Sequence, residues 1–324
     1  MKAFILAAGR GTRLHPLTNL IPKPLIPVLN RPVMGHMLDL CRDHGFCEAM
    51  ANLHYKGEMI ERAFDDGRHY GVNLRYSYET QLLGTAGGVR RQADFFQGGT
   101  FIVASADVVT DLDLTELLAF HRSHGALATI ATKVVSDPSR FGVVVCDSNS
   151  RVRSFQEKPA PGTARSNLVN MGIYILEPEI FDYIPAEVEF DFGSQLFPLL
   201  VAKGAPVFAM QAKAYWSDIG TLSQYLHTHW DLLSQLGMQQ PRIGRHTVVE
   251  PGASISPTAL IGDHCYIHAS AVIEGNSCIG DGTILDHGAR VLDSVVWSAE
   301  ALRFSVAETV VRSVRADDCC IAIS

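Results

Sequence analysis

Apolar positions fall in short runs and helical stripes along the first 236 residues, and beyond residue 246 they recur at every sixth position. Residues 3–8 are an apolar run closed by Gly9, the pattern of a buried strand. Pro32 opens a helix reaching about residue 43, with Met34, Met37, Leu38 and Cys41 on its apolar stripe. Runs at 46–53 and 72–76 predict two further strands around a helix over 58–64. This βαβαβ alternation predicts a Rossmann-like, parallel, doubly wound α/β sheet, with ligands at the carboxyl ends of its strands. Further helices are expected over 89–95, 114–120 and 222–236, and over 192–202 with a break at Pro198. Strands are expected over 100–104, 126–133, 142–146, 152–155, 173–176 and 207–210.

Residues 237–246, GMQQPRIGRH, lack periodicity and read as a linker. After it Val249, Ile255, Ile261, Ile267, Ile273, Ile279, Leu285 and Val291 share one register of six, with Pro-Gly, Gly-Asp and Gly-Asn turns between them. Each repeat is too small to bury its apolar edge alone, so the pattern predicts a stacked parallel β-helix. The expected domains are therefore 1–236 and 247–324. The register weakens after Val291, although Val295–Val296 and Val310–Val311 could continue it. Exposed coil edges favour self-association, which makes a homo-oligomer the expected assembly.

Composition narrows the function. The 324 residues are 47% apolar and 19% charged, with a net charge of −7, which suits a globular protein and offers no general attraction to nucleic acid or an anionic membrane. No apolar run approaches the ~20 residues of a membrane span. The seven cysteines are scattered without a CxxC pair, which argues against structural zinc and for reduced thiols. With the first strand opening the sequence and no leader visible, a cytoplasmic protein is expected. Cys319-Cys320 is the one pair open to a redox role. His227 and His229, two apart on a predicted helix, do not share a face for one metal ion.

Against this acidic background the stretch GRGTRLHPLTNLIPKP, residues 9–24, concentrates cations and glycines after the first strand. Gly9 and Gly11 allow backbone N–H groups to approach an anion, and Arg13 adds a planar fork suited to phosphate. Lys23 stands between Pro22 and Pro24, which fix the backbone on both sides. No Gly-Lys-Ser/Thr follows, so this is not a Walker loop, and Leu14 replaces the third glycine of a dinucleotide fingerprint.

The whole string resembles the signature of the sugar-nucleotide pyrophosphorylases, the nucleotidyltransferases that join an NTP to a sugar 1-phosphate. The resemblance extends along the chain. E79-TQLLGTAGG-88 matches the stretch that lies against the nucleotide base, which implies Gly84 and Thr85 at the base with Glu79 or Gln81 reading its edge. A carboxylate at Glu79 could accept from guanine N1–H and N2–H₂ together. Ala106-Asp107 stands where relatives have Gly-Asp or Ser-Asp, and W216-SDIGT-221 matches W-x-D-I-G-T, so Asp107 and Asp218 are the implied Mg²⁺ ligands. Glu157-Lys158-Pro159 matches a sugar-binding E-K-P, and Asn170-Met171-Gly172 a sugar-contacting N-x-G; Gly142 is grouped with them. Gly9, Gly11 and Thr12 are implied at the nucleotide. Asp111 and Asp113 read as turn and helix-capping residues, with a second metal cluster as the alternative. The family's tail is a left-handed β-helix.

The implied reaction is attack of a sugar phosphate oxygen on the α-phosphorus of an NTP, releasing pyrophosphate. Its nucleophile is already anionic, so positioning and charge neutralisation must carry catalysis, with Arg13, Lys23, Asp107 and Asp218 as the catalytic set. The motif order looks most like mannose-1-phosphate guanylyltransferases, which implies GTP and mannose 1-phosphate. Glucose-1-phosphate thymidylyl-, uridylyl- and adenylyltransferases stay open. So do a non-catalytic sugar-nucleotide-binding regulator, and a β-helix that transfers an acyl group through His264, His268 or His287.

Overall fold

The computed structural model describes residues 1–299 and 304–323, so residues 300–303 and 324 of the expected β-helix lie outside the described residues. The chain divides into two compact units, one of residues 1–9 and 34–216, the other of residues 10–33 and the segment from 217 onward. The segment around Lys23 thus belongs with the C-terminal part of the chain and not with the strand it follows.

The first unit is built on a nine-stranded sheet. Strand Lys2–Leu6 lies between Glu48–Leu53 and Phe101–Ser105, and Asn73–Tyr78 forms the edge beyond Glu48–Leu53; these four run parallel, as the βαβαβ pattern predicts. Ala3, Phe4 and Ile5 are fully buried, which explains the uninterrupted apolar run. The other half of the sheet departs from the parallel expectation. Leu168–Leu176 pairs antiparallel with Phe101–Ser105 on one side and with Ala128–Val134 on the other. Gly142–Cys146 and Val152–Glu157 form an antiparallel hairpin. Its connection is a tight turn in which Asp147 Oδ1 accepts the N–H groups of Asn149 and Arg151 at 2.9 and 3.0 Å. A turn that short cannot make the crossover that parallel strands require.

Two expected helices differ in detail. Helix Gly84–Arg90 begins inside the glycine-rich stretch, so those glycines are helical. Over 192–202 a π-helix, Phe192–Leu196, passes into helix Phe197–Ala202, and Pro198 sits in the first turn of the latter, where its missing N–H costs nothing. Asp113 caps helix Leu114–Ser123, accepting from Thr115 and Glu116, and Asp111 accepts from the N–H of Tyr215 at 2.7 Å.

In the second unit the six-residue register closes into coils of three short strands. Val249 stacks on Ile267 and Leu285, Ile255 on Ile273 and Val291, and Ile261 on Ile279. Ile261, Ile267, Ile273, Ile279, Leu285 and Val291 are at most 1% exposed, whereas Val249 and Ile255, in the first coil, are half-buried. The first coil starts at Arg242–Ile243, inside the stretch expected to be a linker. Val296 stacks on Ile279 and Val310 on Val291, so the weakened register does continue. Among the described residues no helix is long and apolar enough to cross a membrane.

One buried group ties stability to pH. His121 is 1% exposed, with Nδ1 2.8 Å from Thr129 Oγ1 and Nε2 3.0 Å from Glu177 Oε1. Burial lowers its pKa, and the Glu177 contact only partly opposes this. The unfolded chain therefore takes up the proton at higher pH than the folded one. Its contribution to stability is present above the ordinary histidine value, about 6.5, and is lost as pH falls through the lower folded value. The melting temperature should drop between pH 7 and pH 5, and His121→Gln should flatten that slope.

Candidate active site

Residues 9–25 form a compact loop in which backbone turns alternate with the charged side chains. Gly11 is left-handed at φ 64° and ψ 30°, and it leads into the 3₁₀ turn Thr12–Leu14, which carries Arg13. Gly9, Thr12 and Arg13 are exposed. Lys23 opens a second 3₁₀ turn after the extended Pro22, and its residue is 9% exposed. A β-carbon on Gly11 would stand 3.1 Å from Lys23 Cβ and 2.9 Å from Thr18 Cγ2, while Thr18 Oγ1 donates to the Gly11 carbonyl. The glycine is thus required by the lysine stem beside it. Gly220 does the same for Asp218: its β-carbon would lie 2.7 Å from Asp218 Oδ2 and 3.3 Å from Arg13 Nη1. Arg13, Lys23 and Asp218 all belong to the second unit.

In the first unit the stretch 79–88 is held from two sides. Glu79 is 4% exposed; Asn52 Nδ2 donates to its Oε1 at 2.7 Å, and the Leu83 N–H to its Oε2 at 3.0 Å. Asn52 Oδ1 in turn accepts the Ala7 N–H at 2.8 Å, at the end of the first strand. Glu79, which the resemblance implies as one of two base-edge readers with Gln81, thus has both carboxylate oxygens engaged within its own chain. Its carboxylate is turned inward and buttresses the loop, while Thr80, Gln81 and Leu82 are exposed. On the other side, residues 188–192 press against the glycines. The Phe190 carbonyl accepts from Ala86 and Gly87 at 2.8 and 2.9 Å, and Asp191 Oδ1 accepts from the N–H and hydroxyl of Thr85 at 2.9 and 2.8 Å. Asp191 was not expected from sequence, because it reaches Thr85 across 106 residues.

The sugar-site candidates share one corner of the first unit. Lys158 Nζ lies 2.5 Å from Glu157 Oε1. Glu157 Oε2 would lie 3.1 Å from a β-carbon on Gly142 and 2.3 Å from one on Gly193, so two glycines make the slot for this carboxylate. Gly193 is the second residue that sequence reading missed. Asn170 holds a bulge: its Oδ1 accepts the Gly172 N–H at 2.8 Å and its Nδ2 donates to the Tyr174 hydroxyl at 2.8 Å. One N–H and one lone pair of its amide remain for a ligand. Asp107 sits in the turn after Phe101–Ser105, and the Ala106 N–H pairs with the Leu6 carbonyl at 3.1 Å. Ala106 is 1% exposed, so the alanine methyl that stands where relatives have glycine or serine is accommodated in the core.

Among the described residues no group of three or more His, Cys, Asp or Glu is assembled for a metal. Asp107, in the first unit, and Asp218, in the second, each carry a carboxylate of the kind that suits a hard cation.

The contacts at Gly84 give a direct test of the loop. Its φ is +72°, and a β-carbon would stand 2.7 Å from the Phe190 carbonyl oxygen. Gly84→Ala should cost more than the ~1–2 kcal/mol of a left-handed L-residue, because rigid backbone must also move. Chemical denaturation should show the loss, and a variant as stable as the parent would show that this contact is loose.

Comparison with known proteins agrees with this geometry. The nucleotidyl transferase family model matches residues 2–235, and a bacterial transferase hexapeptide model of six repeats matches 240–275. The chain is 40% identical to the UTP–glucose-1-phosphate uridylyltransferase of Synechocystis, covering 92% of this chain and 87% of that protein. It is 34% identical to the mannose-1-phosphate guanylyltransferase of Mycobacterium tuberculosis, covering 90% and 80%. Among solved structures it resembles HddC from Yersinia pseudotuberculosis with a TM-score of 0.61 at 26% identity, over 70% of this chain and 97% of that one. The matching family models and the similarity to these relatives place this chain in the nucleotidyl transferase family, as a sugar-1-phosphate nucleotidylyltransferase with a hexapeptide-repeat domain.

Proposed function

We propose that the protein transfers UMP from UTP to glucose 1-phosphate, giving UDP-glucose and pyrophosphate. The inward carboxylate of Glu79 is the observation that carries this choice of base. Guanine offers an N2 amino group that needs an acceptor, and Glu79 does not supply it. Uracil asks for one acceptor and one donor at N3–H and O4, which a single exposed amide such as Gln81 meets. The Synechocystis uridylyltransferase supports the same pair. The second reading, GTP with mannose 1-phosphate, is favoured by the guanylyltransferase relatives.

In either case the chain's residues have the same tasks. Arg13 and Lys23 bind the triphosphate and steady the departing pyrophosphate. Glu157 accepts from sugar hydroxyls, and Asn170 adds its spare amide valences. Lys158 restrains the sugar phosphate against repulsion from the triphosphate, so that its oxygen can approach the α-phosphorus in line. No side chain need take a proton from this nucleophile. A divalent cation, which we take to be Mg²⁺ on Asp107 and Asp218, supplies charge neutralisation at the phosphates when bound. Self-association through the β-helix completes the proposal.

Pyrophosphate release should be measured with each NTP against glucose, mannose and N-acetylglucosamine 1-phosphates, with Mg²⁺ and with EDTA. The expected maximum is UTP with glucose 1-phosphate, abolished by EDTA; a maximum at GTP with mannose 1-phosphate would replace the substrates and keep the chemistry. Lys23→Ala and Asp218→Ala should each lose roughly 10²–10³ in turnover, the scale of one lost electrostatic contact. Near-parental turnover in either would remove that residue from the catalytic set.

A further inference from the structure

The segment that follows Lys23 is a hairpin, and its tip rests on the β-helix. Pro27–Val28 pairs antiparallel with Arg31–Pro32. The two residues between them, Leu29 and Asn30, have φ of 49° and 61°, as the tight turn of a two-residue hairpin requires. Asn30 reaches across 249 residues of sequence: its Nδ2 donates to the Ile279 carbonyl at 2.7 Å. The Cys278 thiol donates to Asn30 Oδ1 at 3.1 Å. Burial raises the pKa of that fully buried thiol, so it keeps the proton it donates. Beside the tip a cleft of about 300 Å³ opens, lined by Arg31, Arg242 and Asp263 among others.

The other end of the hairpin is fixed through helix Leu222–Gln235. The Tyr225 hydroxyl donates to the Pro27 carbonyl at 2.6 Å, and His229 Nε2 lies 3.2 Å from the same oxygen; both residues are fully buried. That helix is itself docked on the coils. Trp230 Nε1 donates to the Asp293 carbonyl at 3.0 Å, and Asn276 Nδ2 donates to Ser234 Oγ at 2.9 Å. Lys23 lies just before the hairpin, and Asp218 just before the helix.

We infer that the β-helix positions the phosphate-binding loop of its own chain, with Asn30 as the positioning residue that anchors the Lys23 hairpin to the coil. This gives the hexapeptide domain a part in turnover that is separate from assembly. The inference rests on the reading of Lys23 as a triphosphate ligand. Asparagine suits position 30 because it tolerates the left-handed backbone and carries a donor and an acceptor on one short side chain. Glycine would keep the turn and remove both contacts, which makes Asn30→Gly the clean probe.

The test uses the full-length chain. Asn30→Gly should lower kcat/KM for the nucleotide roughly tenfold, the value of one or two hydrogen bonds, and leave the sugar 1-phosphate KM within about twofold. The affinity for pyrophosphate, measured by calorimetry without turnover, should fall by a similar factor. Sedimentation equilibrium should give the parental oligomeric state. Tyr225→Phe, which loosens the same hairpin at Pro27, should shift the nucleotide parameters in the same direction, and it serves if Asn30→Gly does not fold. Parental pyrophosphate affinity in these variants would overturn the inference. So would an equal loss for both substrates in step with a lowered melting temperature, which would mark a purely structural contact. Lys23→Ala separates the two levels. If it impairs pyrophosphate binding while Asn30→Gly does not, only the anchoring fails; if Lys23→Ala itself binds normally, the reading of Lys23 fails with it.

Discussion

In each of the two units, charged side chains among the candidate residues stand where a neighbouring glycine leaves room for them. Lys23 packs on Gly11, Glu79 on Gly88, Glu157 between Gly142 and Gly193, and Asp218 on Gly220. At Gly88, Gly193 and Gly220 an added β-carbon would come within 2.5, 2.3 and 2.7 Å of a carboxylate oxygen, closer than any packed contact allows. The consequence is rotamer restriction without added bulk. A carboxylate or a lysine stem held against bare backbone has few rotamers left to lose, and preorganised charge is what a reaction with an anionic nucleophile needs. The rest of the site follows from this. The loops that carry the glycines must themselves be fixed, and they are fixed by long-range hydrogen bonds such as Asp191 to Thr85 and Asn52 to Glu79.

That constraint explains what the sequence could and could not reveal. The glycines were visible, and so were the cations between them, because both are local. At Gly84, where the resemblance implies a base, the space is filled by the chain's own backbone at Phe190. The resemblance implies Glu79 or Gln81 at the base edge, and only the fold shows Asn52 behind Glu79. Asp191 and Gly193 had no signal, since each acts on a residue far along the chain. The hexapeptide register was legible from Val249 to Val291, where each coil repeats one local unit, and less so at the first coil and beyond Val291. The antiparallel half of the main sheet was not. Strand patterns give no direction, and the short turn at Asp147 was the only local clue.

Relatives that carry different nucleotides and sugars share this framework, and the structure suggests why that is physically easy. In the proposed mechanism the phosphate chemistry uses Arg13, Lys23 and the two aspartates, whose charges suit phosphate and a divalent cation and carry no preference for a base or a sugar. On that reading base choice falls to the exposed residues 80–82, and sugar choice to the surroundings of Glu157 and Asn170. A single hydrogen-bonding group left without a partner discriminates strongly, because its desolvation is not repaid. On the proposed reading, the inward Glu79 carboxylate acts on base choice through an acceptor withheld.

The division of the chain gives the β-helix a stronger position than an appended tail would have. Residues 10–33 are consecutive with the first strand, yet they pack with the segment from 217 onward. A parallel coil is a stiff support: its interior is a column of aliphatic side chains, and its turns are tied rung to rung, as where Asp263 and Asp281 accept backbone N–H groups from neighbouring coils. A hairpin hung on such a support by Asn30 has a fixed reference that a free loop lacks. The same stiffness thus serves within one chain, since Asn30 bonds a backbone carbonyl and a thiol of the coil itself.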